Sequence, residues 1–249
     1  DDYWYGGLAE LTGYELHQSR YGEIHEGTAT MIFVTEPFSK KKQVKLDDYK
    51  KAGKDNQSVL KLNSTRKFLT GIYPYSMMTS SFTPADLTKY PHSLKISLTG
   101  QEWCGHVFQQ VNLDGEKYKI KSFSYFESEG DNNYSFDKTY LEDEIFSVIR
   151  INPELLPTGD ISMVPSSVAS RFIHQDYKPY PAKASNTKIV EEDIAMNVYT
   201  IKYPHNNRTF SIYYQSAFPY IIESWEDSYQ GLGGAVLTSI ATRKNTKKL

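Results

Sequence analysis

The segment from Gln101 to His106 brings the only cysteine of the chain together with a glutamate, a tryptophan and a histidine. A cysteine nucleophile needs a nearby base and a third group that orients this base. Side chains alternate between the two faces of a β-strand, so we expect Glu102, Cys104 and His106 on one face and Trp103 on the other. Alternate positions lie ~6–7 Å apart, which is too far for a thiolate–imidazole hydrogen bond unless the strand bulges.

These three residues are therefore candidates for the catalytic site of a Cys/His hydrolase or for a partial metal site. The hydrolase hypothesis predicts that the Cys104 thiol is exposed and reactive. The favoured interpretation is structural, namely a packed cysteine in a strand beside a histidine whose hydrogen bonds are satisfied. We accordingly predict a protein without catalytic residues, bound metal or cofactor.

The segment from Tyr21 to Gly27 offers a second set of metal-ligating residue types. We expect Glu23 and His25 to share one face of a strand, with Glu26 on the other face. Together with the Gln101–His106 segment they would complete a His/carboxylate site only if the two segments met. Nothing in the sequence indicates such a meeting, so a surface or turn position for His25 is the favoured interpretation.

Two further rows of polar and aromatic residues fit binding roles. Glu127 and Glu129 have a spacing near the carboxylate separation of retaining glycosidases, but such pairs are common on solvent-facing strands. Glu223 and Trp225 form a similar row near the end of the chain. Tryptophan can line a ligand groove, although aromatic residues at alternating positions more often belong to a core. The candidates for ligand or partner binding are Trp103, Trp225, Glu223, His25 and Glu26.

Composition and missing motifs exclude several classes of protein. The chain has 249 residues, of which 39% are hydrophobic and 23% charged, which is typical of a globular protein rather than a disordered one. Its 28 basic and 30 acidic residues argue against a nucleic-acid partner. The sequence contains no nucleophile elbow, P-loop, dinucleotide-binding glycine motif or zinc-protease motif. It also contains no apolar run of the ~18–20 residues that a membrane-spanning helix needs.

The elements that must position these residues are predominantly strands. Twenty tyrosines favour pleated, half-buried surfaces. Between Ser58 and Phe68, polar and apolar residues alternate, which is typical of a sheet with one solvated face. The pair Asp114-Gly115 between two strand-like segments predicts a hairpin turn, because glycine tolerates a positive φ angle.

Only the segment from Tyr140 to Arg150 has the apolar spacing of a helix. We expect Thr139 to cap its N-terminus, with Glu142 three residues later completing a capping box. The predicted fold is mainly β: a large curved antiparallel sheet or half-barrel packed on this one helix, at about residues 139–150. Residues 1–230 are expected to form a single β-rich domain, and residues 231–249 a flexible or docking C-terminal tail. This architecture resembles lipoprotein carriers.

Several sequence blocks together resemble an uncharacterised secreted or lipoprotein envelope family of Bacteroidota. The blocks span nearly the whole chain and are Tyr14–Pro37, Ser58–Asn63, Thr70–Met78, Gln101–His106, Leu141–Glu144, Leu156–Gly159 and Phe218–Glu226. Some members bear the label "septum formation inhibitor Maf", but this chain lacks the Ala-Ser-x-Ser-Pro-Arg-like segment with which Maf proteins open. Family members carry secretory or lipoprotein signals and have no established activity.

The resemblance implies a non-catalytic cell-envelope protein, outer-membrane-associated or periplasmic and lipid-anchored before Asp1. We expect it to act as an accessory subunit of an outer-membrane assembly, with other envelope proteins as partners. The first alternative is a periplasmic carrier of a lipid, an acyl chain or another hydrophobic ligand. The second alternative is a Cys/His or metal-dependent hydrolase. We expect membrane association to depend on a lipid anchor rather than on a transmembrane segment.

Overall fold

The computed structural model describes residues 2–191, 194–231 and 234–249, and most of them belong to one sheet. Its fifteen strands are β1 (Glu10–Arg20), β2 (Glu23–Ser39), β3 (Asn56–Thr70), β4 (Tyr73–Pro84), β5 (Lys95–Glu102), β6 (Gly105–Asp114), β7 (Lys117–Ser124), β8 (Asn132–Asp137), β9 (Tyr140–Leu141), β10 (Gly159–Val164), β11 (Tyr180–Glu191), β12 (Ile194–Tyr203), β13 (Arg208–Gln215), β14 (Ile222–Gln230) and β15 (Val236–Lys248). The helices are α1 (Asp2–Tyr5), α2 (Ile145–Ile151) and α3 (Ser167–Phe172). The fold is therefore mainly β, as predicted.

The sheet consists of two antiparallel meanders joined at the middle. From β1 the first meander runs outward through β2 to β8, and from β15 the second runs outward through β14 to β10. Strands β1 and β15 pair antiparallel and join the two halves, and the short β9 pairs parallel to β10. The sheet is open, with β8 and β9 as its edge strands. We call the end at which β1, β3, β5 and β7 finish the upper end.

The sheet must be curved, because α2 contacts strands from both of its halves. The Ser147 hydroxyl of α2 lies 3.5 Å from that of Ser81 on β4. The neighbouring Phe146 ring lies 5.9 Å from Phe210 on β13 and 5.6 Å from Trp225 on β14. Strands β4 and β13 are six spacings apart, or ~29 Å along a flat sheet. A helix only ~10 Å wide can reach both strands only on a concave face.

The core lies on this concave inner face, where alternate strand residues meet α2. Its largest apolar members are fully buried aromatic and aliphatic side chains such as Phe33, Trp225, Tyr199, Ile212 and Leu16. A second, smaller cluster joins side chains of β5 to β7 to Leu141 of β9 and Val164 of β10. Burial of these side chains provides most of the driving force for the curvature.

The predicted helix is present but begins later than expected. Tyr140 and Leu141 pair with β10, a 3-10 turn follows from Glu142 to Glu144, and α2 begins only at Ile145. Thr139 does not cap the helix, because its hydroxyl donates to the Ser162 carbonyl at 2.8 Å. Instead, the Glu144 carboxylate accepts from the Leu141 backbone N–H at 3.1 Å. Because Tyr140 and Leu141 pair with β10, the helix begins later than the sequence predicted.

The prediction of a flexible or docking tail after residue 230 is wrong for the part of it that forms β15. This strand lies in the middle of the sheet and pairs with β1 on one side and β14 on the other. The sequence did not identify β15 as a strand because the segment is largely polar. A central strand with one solvated face needs apolar residues only on the other face. Residues 232 and 233 of the predicted tail lie outside the described residues.

One hairpin prediction is confirmed at the lower end. Asp114 and Lys117 form the last pair of β6 and β7, and Gly115 in the turn has φ +60°. Within the described residues, no helix is both long enough and apolar enough to cross a membrane.

Candidate functional site

The structure separates the three residues predicted for a thiol site. Trp103 and Cys104 form a two-residue turn between β5 and β6, where Glu102 pairs with Gly105. Cys104 and His106 are exposed, whereas Glu102 is buried. The prediction of a single row of side chains is wrong because the chain reverses at this turn, so the alternation of one continuous strand does not apply.

His25 and Glu26 lie on opposite faces of β2, and His25 is half-buried. The Nε2 atom of His25 lies 3.0 Å from the Arg20 carbonyl oxygen across the first hairpin, and its ring stacks on Phe68. Glu26 is exposed. Among residues 2–191, 194–231 and 234–249, no three His, Cys, Asp or Glu side chains are grouped to hold a metal ion.

Glu223 and Trp225 differ sharply in exposure although they are two residues apart. Glu223 is half-buried and accepts from the Arg243 guanidinium at 2.7 Å and from Gln215 at 2.6 Å. Trp225 is completely buried, 4.7 Å from the Tyr14 ring. Trp225 is thus a core residue and offers no surface to a ligand or partner, whereas Trp103 is 64% exposed.

The most prominent cavity is a cleft of about 770 Å³ on the inner face, between β5–β8 and the chain around α3. We call it the α3 cleft. The side formed by β5–β8 contributes the apolar side chains of Leu98, Val107 and Phe136, beside polar ones such as Gln109 and Ser122. The opposite wall is polar and includes Ser167 and Ser170 of α3. Exposed polar side chains surround the mouth, among them Ser128, Asn132, Asp176 and Lys178.

Two buried side-chain atoms lining the α3 cleft have no hydrogen-bond partner among the described residues. They are the amide nitrogen of Gln109 and the hydroxyl oxygen of Ser170. Gln109 and Ser170 are only 8% and 4% exposed. Leaving such a group unsatisfied costs about 1–3 kcal/mol, so polar atoms of this kind mark a place where another molecule can bond.

A charged cluster connects the two segments that flank the cleft mouth. Glu129, in the loop after β7, lies 2.5 Å from the Nδ1 atom of His174 and 3.3 Å from the Arg171 guanidinium. Its second oxygen accepts from the Ser124 hydroxyl at 2.7 Å. Burial opposes ionisation of Glu129, but the bonds from Ser124 and His174 and the charge of Arg171 hold its pKa below the ordinary value. We call Glu129, His174 and Arg171 the latch.

A different charged cluster fastens α2 to the inner face. Arg208 of β13 bonds to both oxygens of Glu142 at 2.6 and 2.7 Å, and to both oxygens of Asp227 at 2.7 and 3.0 Å. The Tyr203 hydroxyl donates to Glu142 at 2.7 Å. Burial opposes the charge of Arg208, but the two carboxylates hold its pKa well above the ordinary value. We call Glu142, Arg208 and Asp227 the anchor network.

The next two carboxylates of the same turn are also buried, and each bonds to a different part of the fold. Asp143 accepts from the backbone N–H and the hydroxyl of Ser167 at 2.9 and 3.2 Å. Burial raises the pKa of Asp143 to about 7, against the effect of these hydrogen bonds. Glu144 accepts from the Ser93 backbone N–H at 2.6 Å. Three consecutive acids therefore fix the entry to α2 against β13, α3 and the loop before β5.

Sequence reasoning missed most residues of the α3 cleft. Only Glu129 was considered, as part of an acidic pair, while Arg171, His174, Ser170 and Gln109 were not. One local signal for α3 existed: Ser166 follows a proline and accepts from the Ala169 N–H at 3.1 Å, as an N-cap does. A six-residue helix is too short for its apolar spacing to stand out.

Comparisons with known proteins do not assign this chain to a family. A scan against protein-family profiles, a search of curated proteins and a search of solved structures each found no match. The resemblance to an envelope family of Bacteroidota therefore stays a prediction, and the function rests on the site itself.

Proposed function

We propose that this protein is a non-catalytic carrier of the cell envelope that binds a neutral, acyl-containing amphiphile in the α3 cleft. The observation that supports the proposal is the combination of apolar side chains with buried, unpartnered polar atoms in one cleft. The cleft of about 770 Å³ falls within the ~300–1,000 Å³ of typical small-molecule sites.

The charges around the cleft favour an uncharged ligand. Arg171 is 3.5 Å from Glu102 and 3.3 Å from Glu129, and Lys178 is 2.8 Å from Asp176. Each cation thus already has an anionic neighbour, and a charged ligand would have to displace it. A ligand without net charge avoids this cost.

The unpartnered groups favour a ligand with carbonyl-type oxygens. The amide nitrogen of Gln109 can only donate, so its partner must be an acceptor. The Ser170 hydroxyl can donate or accept. An ester or amide carbonyl satisfies these donors, while an attached acyl chain covers Leu98, Val107 and Phe136. A lipid ester combines both features.

The cellular role remains the carrier alternative drawn from the sequence, with the envelope location and the lipid anchor as parts of the proposal. The accessory-subunit role would require a partner protein. A Cys/His hydrolase is not proposed, because Cys104, His106 and Glu102 do not converge on one site.

Native mass spectrometry of the protein, purified in mild detergent from its own envelope, tests the carrier proposal. We expect an added mass of lipid size, and binding of 1-oleoylglycerol as a defined neutral acyl ester after delipidation. Ser122→Trp, on the cleft side of β7, should fill the cleft and abolish both. Lys121→Trp is the matched control, since residue 121 is exposed on the other face of the same strand.

Three results would count against the proposal. A protein that carries no lipid and does not bind 1-oleoylglycerol contradicts the function itself. Equal loss of ligand in the Ser122 and Lys121 variants contradicts the site. A stable added mass of another protein, with no lipid, favours the accessory subunit.

A further inference from the structure

The upper end of the N-terminal half carries apolar side chains at four neighbouring hairpins, where polar residues are usual. Ile72 is 74% exposed in the turn between β3 and β4, and Trp103 is 64% exposed in the turn between β5 and β6. Tyr125 is 69% exposed directly after β7. We call the whole set the apolar rim: Tyr21, Leu69, Ile72, Tyr73, Trp103 and Tyr125.

The apolar rim is continuous across three of these hairpins. The rings of Tyr73 and Trp103 meet edge to face, with centroids 5.6 Å apart. The Tyr125 ring lies directly on the backbone of Gly105, where an added β-carbon would come within 2.4 Å of the ring. Gly105 therefore permits an aromatic surface that runs from β4 to the end of β7.

Two hairpin turns in other parts of the molecule do not share this character. At the upper end of the C-terminal half, the turn between β12 and β13 consists of Pro204, His205, Asn206 and Asn207. At the lower end, the turn between β6 and β7 consists of Gly115 and Glu116. Such polar and glycine-containing turns are what local backbone chemistry favours. Val190, Ile194 and Val236 are also exposed near strand ends of the C-terminal half, but these side chains are aliphatic, whereas four of the six members of the apolar rim are aromatic.

We infer that the apolar rim is a membrane-contacting surface that inserts into the interface of a lipid bilayer. Tryptophan and tyrosine are enriched at the headgroup level of membranes, because one end of each ring system is apolar and the other is wet. The aliphatic tip at Ile72 suits the adjoining acyl region. Apolar side chains at a protein–membrane interface bind in proportion to the area that they bury.

The charges near the apolar rim define which lipid surface it fits. Glu23 and Glu26 are exposed on β2, Glu127 and Asp131 are exposed in the loop after β7, and Lys67 is exposed on β3. This mixture contains no cluster of cations, so attraction to anionic lipids does not contribute to binding. The lysine-rich segment from Lys40 to Lys54 lies beyond the lower end of β2, away from the rim. The rim therefore fits a zwitterionic surface.

The apolar rim lies next to the mouth of the α3 cleft. Phe126 follows Tyr125 directly, and the Arg171 guanidinium lies 4.4 Å from the Phe126 ring centroid. Three residues further on, Glu129 belongs to the latch. A membrane-bound rim would hold the cleft mouth near the lipid surface. The inference goes beyond the proposed carrier function and does not depend on it, since the rim residues do not line the cleft.

Co-sedimentation with phosphatidylcholine vesicles tests the inference. We expect the protein to bind these vesicles equally well with and without added anionic lipid, and in low and high salt. Ile72→Ser should weaken partitioning about fivefold, from the loss of buried apolar area. Val190→Ser is the matched control, because Val190 is 75% exposed near the lower end of β11. This control should bind like the parent protein.

Intrinsic fluorescence adds a residue-specific readout. Trp4 and Trp225 are buried, at 8% and 0% exposure, so Trp103 is the tryptophan that can contact lipid. Its emission should shift to shorter wavelength on vesicle binding and be quenched by brominated phosphatidylcholine. Trp103→Tyr should remove this quenching while retaining vesicle binding.

Specific results would overturn the inference. A protein that stays in the supernatant with phosphatidylcholine vesicles contradicts it, as does binding that requires anionic lipid. Equal effects of the Ile72 and Val190 substitutions also contradict it. Concentration-dependent dimers abolished by Ile72→Ser, without vesicle binding, would show that a second copy covers the rim. None of these results bears on 1-oleoylglycerol binding in the cleft.

Discussion

The anchor network and the α3 cleft lie on the same concave face, but they differ in whether their buried polar groups have hydrogen-bond partners. In the anchor network, Arg208 bonds to all four oxygens of Glu142 and Asp227. In the α3 cleft, Gln109 and Ser170 have unpartnered atoms. A satisfied network holds the fold together, whereas unsatisfied groups are retained at a cost that a bound ligand can remove.

The difference reflects how tightly the strands on each side pack against the helix that they face. Strands β12 to β14 pack their aromatic side chains directly onto α2, as the contacts of Phe146 with Phe210 and Trp225 illustrate. A cavity of only about 30 Å³ separates Phe146 of α2 from β3, β4 and Phe210 of β13. Strands β6 to β8 face the shorter α3, and a cleft of about 770 Å³ remains there.

The largest expected effect is the loss of the anchor network. Arg208→Met leaves the carboxylates of Glu142 and Asp227 buried without their shared cation, so we expect the free energy of unfolding to fall by about 3–5 kcal/mol. Arg243→Met is the matched control, since Arg243 and Glu223 form a partly solvated pair. Its loss should cost about 1 kcal/mol or less. Urea denaturation of both variants measures the difference, and similar losses would refute the distinction.

The second expected effect is a pH dependence that originates at Asp143. Burial raises its pKa from 3.8 to about 7, so between these values the folded protein binds more protons there than the unfolded chain does. The contribution of Asp143 to stability is therefore greatest below pH 4 and is lost as the pH rises toward 7. Asp143→Asn cannot ionise, so its stability relative to the parent should increase by about 2–4 kcal/mol between pH 4 and pH 8.

Denaturation of the parent and the Asp143→Asn variant across this pH range provides the measurement. The difference between the two proteins isolates Asp143 from the other titrating groups. Asp176→Asn, at an exposed carboxylate, should show no such trend. If the free energies of unfolding of the two proteins differ by the same amount at pH 4 and pH 8, Asp143 is ionised in the folded protein over this whole range.

These residues illustrate what could be predicted from the sequence. The alternation from Ser58 to Phe68 predicted a strand with one solvated face, because that signal depends only on neighbouring residues. The turn at Trp103 and Cys104 carries no glycine, asparagine or proline, so a continuous strand was predicted there and the thiol site with it. The pairing of β1 with β15 joins residues more than 200 positions apart, and no local pattern encodes it.

The α3 cleft is hidden from sequence reasoning for the same reason. Gln109 comes from β6, Ser170 from α3 and Glu129 from the loop after β7. Each is unremarkable in its own segment, and only the curvature of the sheet brings them together. Glu142 was predicted only as part of a helix cap, because its partner Arg208 is 66 positions away along the chain.

A pair of buried glutamines provides a third test of the comparison. Gln18 donates to Ser239 at 2.8 Å and accepts from Arg66 at 3.3 Å, whereas the Gln109 amide nitrogen has no partner. Gln18→Leu should reduce the free energy of unfolding by about 2–3 kcal/mol, since it removes the hydrogen-bond acceptor of the buried Arg66 guanidinium. Gln109→Leu should be neutral or slightly stabilising and should weaken 1-oleoylglycerol binding. Equal destabilisation would mean that Gln109 is already satisfied without ligand.

The smallest expected effect concerns the latch. Glu129 is partly solvated, so Glu129→Gln should lower the free energy of unfolding by about 1 kcal/mol or less. The local effect should be larger, with faster amide hydrogen exchange in residues 125–131 and 173–178, because the bonds to His174 and Arg171 hold these segments together.

The pH dependence of the latch distinguishes it from the Asp143 effect by its sign. The pKa of Glu129 is lowered in the folded state, so its contribution is present above its unfolded value of 4.5 and is lost as the pH falls through the folded value. Exchange in the two segments should therefore accelerate in acid for the parent, beyond the intrinsic pH dependence of exchange. The Glu129→Gln variant should lack this acceleration. Asp143 acts in the opposite direction: its contribution to stability is gained in acid, whereas that of Glu129 is lost in acid. A response of the same sign at both carboxylates would remove the distinction between them.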